Sequence, residues 1–576
     1  MRGGRVTAVG GTRLVAAITA FALTATAGPP APEGAGRPPA PATEGPSSVA
    51  VTRYFGRTTP APGEVFRFVN GAEPEALDPA LLSGQSDGRI AQALFEGLVV
   101  QHPRTLEPVP GVAHAWEVSA DGRTYTFHLR STARWSNGAR VTAGDFEWSW
   151  RRVLHPDTPS RYADLFYLLR NGRAYKKRET IDPDQVGVRA IDDSTLVVEL
   201  EAPTSYFLQL ITSYAFLPVP RPEVERWGDR WTRPEHLVGN GAFRLAEHHP
   251  NDRLVLLRNP RYWDVKQVRL AKIVAYCSED LSTTLNMYRA GMTDWNPSGY
   301  IPAEYIPYVQ HYADFRTGPF LATCFYSFNV TRAPFDDARV RRALALAVDR
   351  EQITRYLLRG SKVAWGNVVA PGFAAYPYPE GVGSDPQQAR QLLTAAGYPA
   401  GRGFPPAEIL FNTSQDQRKI AEAIQAMWKR ELGIDVRLAN QEFGSYMRAT
   451  TSLQYQIARR SWIADYNDPS TFLFVLRQGD GNNRTGWGSA RFDSLVAAAA
   501  GEMDPGRRGG MLAAAERIAL AEMPFMPIYA YETVELVAPY VRGWYPTPMD
   551  VHPLKDIWLD RGSNAARAGE TEGATR

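Results

Sequence analysis

Ser461-Trp462-Ile463-Ala464-Asp465-Tyr466-Asn467-Asp468-Pro469 is the stretch on which the reading of this chain turns. Upstream, Thr450 to Ala458 holds alternating residues that predict a strand, and Arg459-Arg460 follow. An arginine, a tryptophan and an aspartate thus fall within seven positions, just before a turn signal. Arginine pairs with a carboxylate through two parallel hydrogen bonds. Aspartate holds an ammonium, and tryptophan offers a flat apolar wall. Together they suit a zwitterionic ligand, with an amine at one end and an acid at the other, such as a peptide. The plainer fate of an aspartate before Asn-Asp-Pro is that of a turn residue.

The 576 residues are 44% hydrophobic and 22% charged, which is ordinary for a globular protein and suggests about three structural units. A formal net charge of +3, with no basic block among the aromatics, gives no electrostatic case for nucleic acid. Fourteen Trp and 26 Tyr are enough to line a ligand cleft as well as a core. Only Cys277 and Cys324 are present. A pair is permitted in an oxidising compartment, but two cysteines build neither a disulfide scaffold nor a Cys-rich zinc site.

Residues 1–27 read as an export signal, with Arg2, Arg5 and Arg13, an apolar run from Leu14 to Ala27, and Ala25-Thr26-Ala27 before Gly28. No cysteine near that cleavage site could carry a lipid. Residues 28–63, rich in Pro, Ala and Gly, predict a disordered linker, and 561–576 a disordered tail. Between them, Glu64 to Val69 alternates like a strand, as do Tyr125, Phe127 and Leu129, and Leu196, Val198 and Leu200. Helices are signalled after Asp337, from Asp385-Pro386 to Gly397, and by the stripe Ile420, Ala423, Ile424, Met427 and Trp428. A strand at Asp435 to Leu438 follows that stripe, so the second half alternates helices and strands while the first half is richer in strands.

Catalytic motifs are scarce. Gly84-Gln85-Ser86-Asp87-Gly88 fits the pattern of a nucleophile elbow, which would make Ser86 the nucleophile of a secreted hydrolase. The elbow needs a buried strand before the serine, and Asp78-Pro79 to Ser83 is too short and too proline-marked to be one. The nine histidines show no metal spacing, and no phosphate loop is present. Binding without bond chemistry, without cofactor or metal, is what remains.

Several ordered stretches carry a resemblance. They include Glu73-Pro74-Glu75-Ala76-Leu77-Asp78-Pro79, Leu94-Phe95-Glu96-Gly97-Leu98, Trp135-Ser136-Asn137-Gly138 and Thr142-Ala143-Gly144-Asp145-Phe146. Asn240-Gly241-Ala242, Arg258-Asn259-Pro260, Tyr262-Trp263 and Val340 to Leu344 follow, and Asn412-Thr413-Ser414 and Ala464 to Asn467 close the series. On these the chain resembles the periplasmic oligopeptide-binding proteins, the solute-binding family that feeds peptide ABC transporters. The resemblance implies an α/β fold of two lobes with a hinge and an extra subdomain in the N-terminal half. Lobe I would comprise 64–86, 218–320 and 532–560, the subdomain 87–217, and lobe II 321–531. A monomer would enclose an oligopeptide between its lobes and present it to membrane permease subunits of an ABC importer.

By the same resemblance Asp465 matches the aspartate that holds the ligand's ammonium, and Arg459 an arginine that meets peptide carboxylates. Trp462 and Tyr162 match aromatics beside the ligand, Asn412 a pocket asparagine and Glu73 a glutamate at the cleft. Phe443 stands where the family has a tryptophan. Tyr529 and Tyr531 both lie where the family has one ligand-facing tyrosine. Thr450 replaces a second carboxylate-binding arginine, and Gln417 a histidine that meets some ligand C-termini. A cleft disulfide of the family is missing on both sides, with Ala322 and Ile463 in its places. These departures leave open a non-peptide solute, or a sensor on the same fold.

Overall fold

Two strands are far longer than the rest, Phe315–Phe328 and Phe525–Val537, and the architecture is organised by them. They run antiparallel down the middle of an eleven-stranded sheet, in a computed structural model that describes residues 53–561 apart from 83, 374 and 375. On one side of the pair lie Trp295–Asn296, Val65–Gly71, Lys272–Cys277, Arg253–Arg258 and Phe243–His249. On the other lie Ile457–Ile463, Ala407–Asn412 and Val436–Gln441. The long pair therefore threads both halves of a two-lobed α/β molecule. Its register breaks between Pro319 and Thr323, opposite Glu532 and Ala530. A break in the hydrogen-bonded ladder is where an otherwise stiff ribbon bends.

Each half has its own core. Phe66, Phe68, Phe243, Leu256 and Trp295 are buried in one cluster with the residues of a separate four-stranded sheet. That sheet pairs Ala113–Val118, Thr124–Leu129, Thr195–Glu199 and Val188–Asp192 in that order. The alternation around Tyr125 and Phe127 gives a strict every-other burial along Thr124–Leu129. The other half is built on Val340, Leu344, Ile409, Ile424 and Trp428. Its helices obey their local signals. Asp385 caps Pro386–Ala395 by accepting from the amide of Gln388 at 2.9 Å, and Gln415–Leu432 ends on Gly433 at φ +69°.

The stretches that carry the family resemblance are joints. Asp78 receives both Nη1 and Nη2 of Arg152, at 2.9 and 2.6 Å, and Nε1 of Trp231 at 3.1 Å. Glu96 is buried, accepts from Trp263 Nε1 at 2.6 Å and takes the hydroxyl of Tyr262. Asn240 clasps the backbone of Glu96 with both side-chain atoms, at 3.0 and 2.9 Å. Gly239 and Gly241 bring their backbones so close to Leu94 and Ala93 that a Cβ would sit 2.1 and 2.6 Å from carbonyl oxygens.

Two sequence expectations are corrected. The linker predicted through residue 63 is already docked from Arg53 onward. The amides of Phe55 and Gly56 donate to the buried carboxylate of Asp314 at 2.9 and 2.8 Å, and the Phe55 ring meets Tyr308 and Tyr312 edge-on. A buried carboxylate must find donors, and the aromatic at 55 supplies the apolar anchor that the Pro/Gly composition concealed. The strand predicted over Thr450 to Ala458 begins only at Ile457, because Phe443–Thr451 is helical with Glu442 as its cap. Predicted residues 1–27, 28–52 and 562–576 lie outside the described residues.

Candidate functional site

A cavity of about 420 Å³ opens where the halves meet. Asp465, Ile463 and Tyr162 line it, facing a wall that includes Arg89, Asp550 and His552. Asp465 stands two residues beyond the strand Ile457–Ile463, whose ladder sets Ala322 opposite Ile463 and Thr323 opposite Trp462. The amides of Ala464 and Asp465 are held by Leu321 O at 2.8 Å and Thr471 Oγ1 at 3.3 Å, which aims the aspartate into the opening. Its carboxylate is reached by water from the cavity, while protein surrounds it on its other sides. That desolvation, with Asp164 nearby, pushes its pKa up to about 7, and among the described residues no basic side chain pairs with it.

Tyr162 exchanges a 2.8 Å hydrogen bond with the hydroxyl of Tyr214, their rings edge to face at 5.6 Å. Burial raises both phenols, and the Asp465 carboxylate adds to the effect, so both hydroxyls stay neutral donors beside it. Ile463, the residue in the place of the family's cleft cysteine, is 56% exposed into the cavity. Above it Tyr466 stacks on Tyr206 with centroids 4.9 Å apart, joining the two sides.

Strand alternation sorts the remaining candidates. Arg459, Ser461 and Ile463 share one face of their strand, and Arg460 and Trp462 the other. Trp462 packs on the helical cluster around Phe472 and donates Nε1 to Thr471 at 3.2 Å, so it braces the Asp465 turn and does not line the cavity. Arg459 donates Nη2 to the hydroxyl of Tyr531 at 2.8 Å, and its Nε is buried without a partner. Tyr529 lies beside Tyr531, with hydroxyls 3.5 Å apart, and is the more deeply buried of the two. Lys362 rests 5.3 Å from the Tyr531 ring, and burial lowers its pKa. Two cations thus flank Tyr531, and neither is part of the lining that holds Asp465.

The other predicted residues sit apart from the cavity lining. Glu73 bonds His248 at 2.5 Å and the Asn251 amide at 3.0 Å; burial opposes its charge, but these bonds outweigh it and hold the carboxyl below its usual range. Asn412 ends the strand Ala407–Asn412 opposite Gln441, and Gln417 is buried with Oε1 unpartnered. Phe443 opens a helix, and its side chain lies outside the described residues. Ser86 is in the first turn of the helix Gln85–Leu94, while the preceding strand ends at Gly71. Gln85, Gly88, Arg89 and Gln92 are the face that lines the cavity, and Ser86 is not among them, so the elbow reading loses its strand and its access. Cys277 and Cys324 are both free thiols, Cys277 bonded to Glu73 and Cys324 facing Ser461 across the ladder.

Sequence reasoning missed Tyr214, Lys362, Arg89 and the trio Glu535, Asp550 and His552. That trio brings three buried donor atoms within 4.8 Å of one another. No spacing motif announces it, because Glu535 comes from a long strand and the other two from a later loop. His552 Nε2 stands 3.1 Å from Asp550 Oδ1 and 3.6 Å from Glu535 Oε1. Burial opposes its charge, but the two carboxylates outweigh burial and push its pKa up to about 9. An imidazolium therefore occupies the place where a cation would bind.

The fold and the cleft define a solute-binding protein of the two-lobed kind, and comparison with known proteins agrees. The profile for bacterial extracellular solute-binding proteins, family 5 (middle region) matches residues 107–484. The chain is 37% identical over 498 residues to the periplasmic murein peptide-binding protein MppA of Escherichia coli, covering 84% of this chain and 91% of that one. It is 34% identical over 511 residues to the probable deoxycholate-binding periplasmic protein YgiS of the same organism, covering 87% and 94%. The structure of Haemophilus influenzae OppA in complex with RPPGFSPFR overlays with a TM-score of 0.71 at 33% identity, covering 87% and 99%. The chain belongs to the family 5 bacterial extracellular solute-binding proteins.

Proposed function

We propose that this protein captures oligopeptides between its lobes and delivers them to the permease of an ABC importer. The observation that carries the reading is an unpaired carboxylate, Asp465, on the cavity wall, with an under-partnered Arg459 on the strand that leads to it. Beyond Ala458 the strand Ala407–Asn412 no longer pairs with Ile457–Ile463, which leaves the outer edge of Arg460–Ile463 open to an extended ligand backbone. A peptide would add there as a strand, its ammonium on Asp465 and its carboxylate toward Arg459 and Lys362.

Closure would bend the long pair at the register break between Pro319 and Thr323. On this reading lobe I is 64–86, 218–320 and 532–560, the subdomain 87–217 and lobe II 321–531. The monomer works outside the cytoplasm, exported by residues 1–27. Periplasmic relatives support that location, and among the described residues no helix is long and apolar enough to cross a membrane. No bond is made or broken, and the closed form is what the permease recognises.

The test is calorimetric. A tripeptide should bind the mature protein, and its N-acetylated form should bind at least 100-fold more weakly, since the ligand would cover the Asp465 carboxylate and displace its water without supplying a cation. Equal affinity for the two would remove Asp465 as the amine anchor. The relative named as deoxycholate-binding, together with Thr450 and Gln417, favours a second reading in which the solute carries no amine. Mass spectrometry of small molecules released by denaturing protein from its host separates the two.

A further inference from the structure

Arg89 has no role in the reading above, although it lines the same cavity as Asp465. It projects from the helix Gln85–Leu94 and lies over the ring of Trp295, 5.1 Å from the centroid, with Phe68 at 5.9 Å. Only 9% of its side chain is exposed. A guanidinium carries five N–H donors and stays charged at any working pH. Its partners here are few and distant. Nη1 reaches Asn70 O at 3.4 Å, and Nη2 stands 3.8 Å from Asp550 Oδ2, beyond hydrogen-bond range.

Asp550 faces Arg89 with Oδ2 in a long ion pair and gives its other oxygen to His552. Asp550 is bonded by His552 at 3.1 Å, and His552 is flanked in turn by Glu535, which accepts from Trp295 Nε1 at 2.6 Å. This chain of alternating charges ends at Arg89, whose guanidinium lies over Trp295 in the cavity lining. The neighbouring lining is rich in amides. Gln101 and Gln209 each have a buried Oε1 with no partner, and Gln101 is 9% exposed. A cation nine-tenths buried in the lining, with a single long hydrogen bond, suits a ligand group that accepts several, while the unpartnered amide oxygens suit the ligand's backbone N–H groups.

We propose that Arg89 is the centre of a side-chain subsite for a carboxylate, so that the cleft prefers peptides with Glu or Asp at one of the first two positions. The proposal rests on the peptide reading, because Asp465 places the ligand's amino end in this cavity. A carboxylate matches the guanidinium in charge and planar geometry, whereas the isosteric carboxamide matches it in shape alone.

The experiment compares Glu-Ala-Ala with Gln-Ala-Ala, and Ala-Glu-Ala with Ala-Gln-Ala, by calorimetry on the full mature protein at pH 7.5. In at least one pair the acidic peptide should bind about tenfold more tightly than its amide, and the ratio should shrink as salt is raised. Arg89→Gln should bring that ratio close to one, and Arg89→Lys should keep part of it. The wild-type ratio needs no variant, so a folding defect in Arg89→Gln cannot mask the answer. Ratios within threefold in both wild-type pairs overturn the proposal even when all four peptides bind, and so does a preference that survives Arg89→Gln in a folded protein. Failure of all four peptides to bind overturns it together with the reading beneath it.

Discussion

Peptide affinity should fall steeply as the solution is acidified, because the amine anchor titrates near neutrality. Burial, and then Asp164, push the Asp465 carboxyl up to a pKa of about 7. A bound ammonium favours the ionised form, so below pH 7 binding must first expel a proton. The ionised fraction is about three quarters at pH 7.5 and about 3% at pH 5.5, so Kd should rise roughly 20-fold across that span, or about 1.8 kcal/mol. Over the same span the peptide's own amine becomes slightly more protonated, which works weakly in the opposite direction. Calorimetry in two buffers of different ionisation enthalpy should register close to one proton released per peptide at pH 5.5. Glu516 also has a pKa of about 7, from burial, so the control is Asp465→Asn, which should bind weakly and with a flat profile. A wild-type Kd that stays constant from pH 7.5 to 5.5 would refute the assignment of Asp465.

Other outcomes follow from individual contacts. Arg459→Met should cost about 1.5–3 kcal/mol of affinity for a tripeptide, and amidating the peptide's C-terminus should cost the mutant much less than the wild type. Thermal stability should fall as pH rises toward 9. His552 is raised from 6.5 to about 9 in the folded state, so its contribution is fully present below pH 6.5 and is lost as pH climbs through the folded value. That contribution is worth up to about 3 kcal/mol, and His552→Gln should flatten the alkaline limb of a melting profile. Arg508 meets buried Asp468 through two bonds of 2.6 and 2.7 Å, so Arg508→Met should destabilise the fold by about 3–5 kcal/mol, read by denaturant titration.

The residues that betray the family are not the residues that would hold a ligand. Asp78, Glu96 and Asn240 tie together elements far apart in the chain, and Asp145 alone of this set works locally. Asp145 closes a capping box on Thr142 and accepts from Trp135 within ten residues. The Asp465 segment was legible because an arginine, a tryptophan and an aspartate fall within seven positions before a turn signal. Trp462 shows where that reasoning stops. It belongs to the same string, yet it falls on the opposite face and braces the turn through Thr471.

Local pattern alone determined the strands with period-two burial, the capped helices such as Pro386–Ala395, and the chemistry of the segment from Arg459 to Asp465, because each depends on neighbours within a few residues. Folding decided the rest. Asp314 captures Phe55 across 259 positions, Tyr531 meets Arg459 across 72, and Arg89, Trp295, Asp550 and His552 converge from elements far apart in the chain. Such groups are brought together by two long strands crossing between halves, and a partner chosen by the path of the backbone through space leaves no period or spacing in the chain to be read.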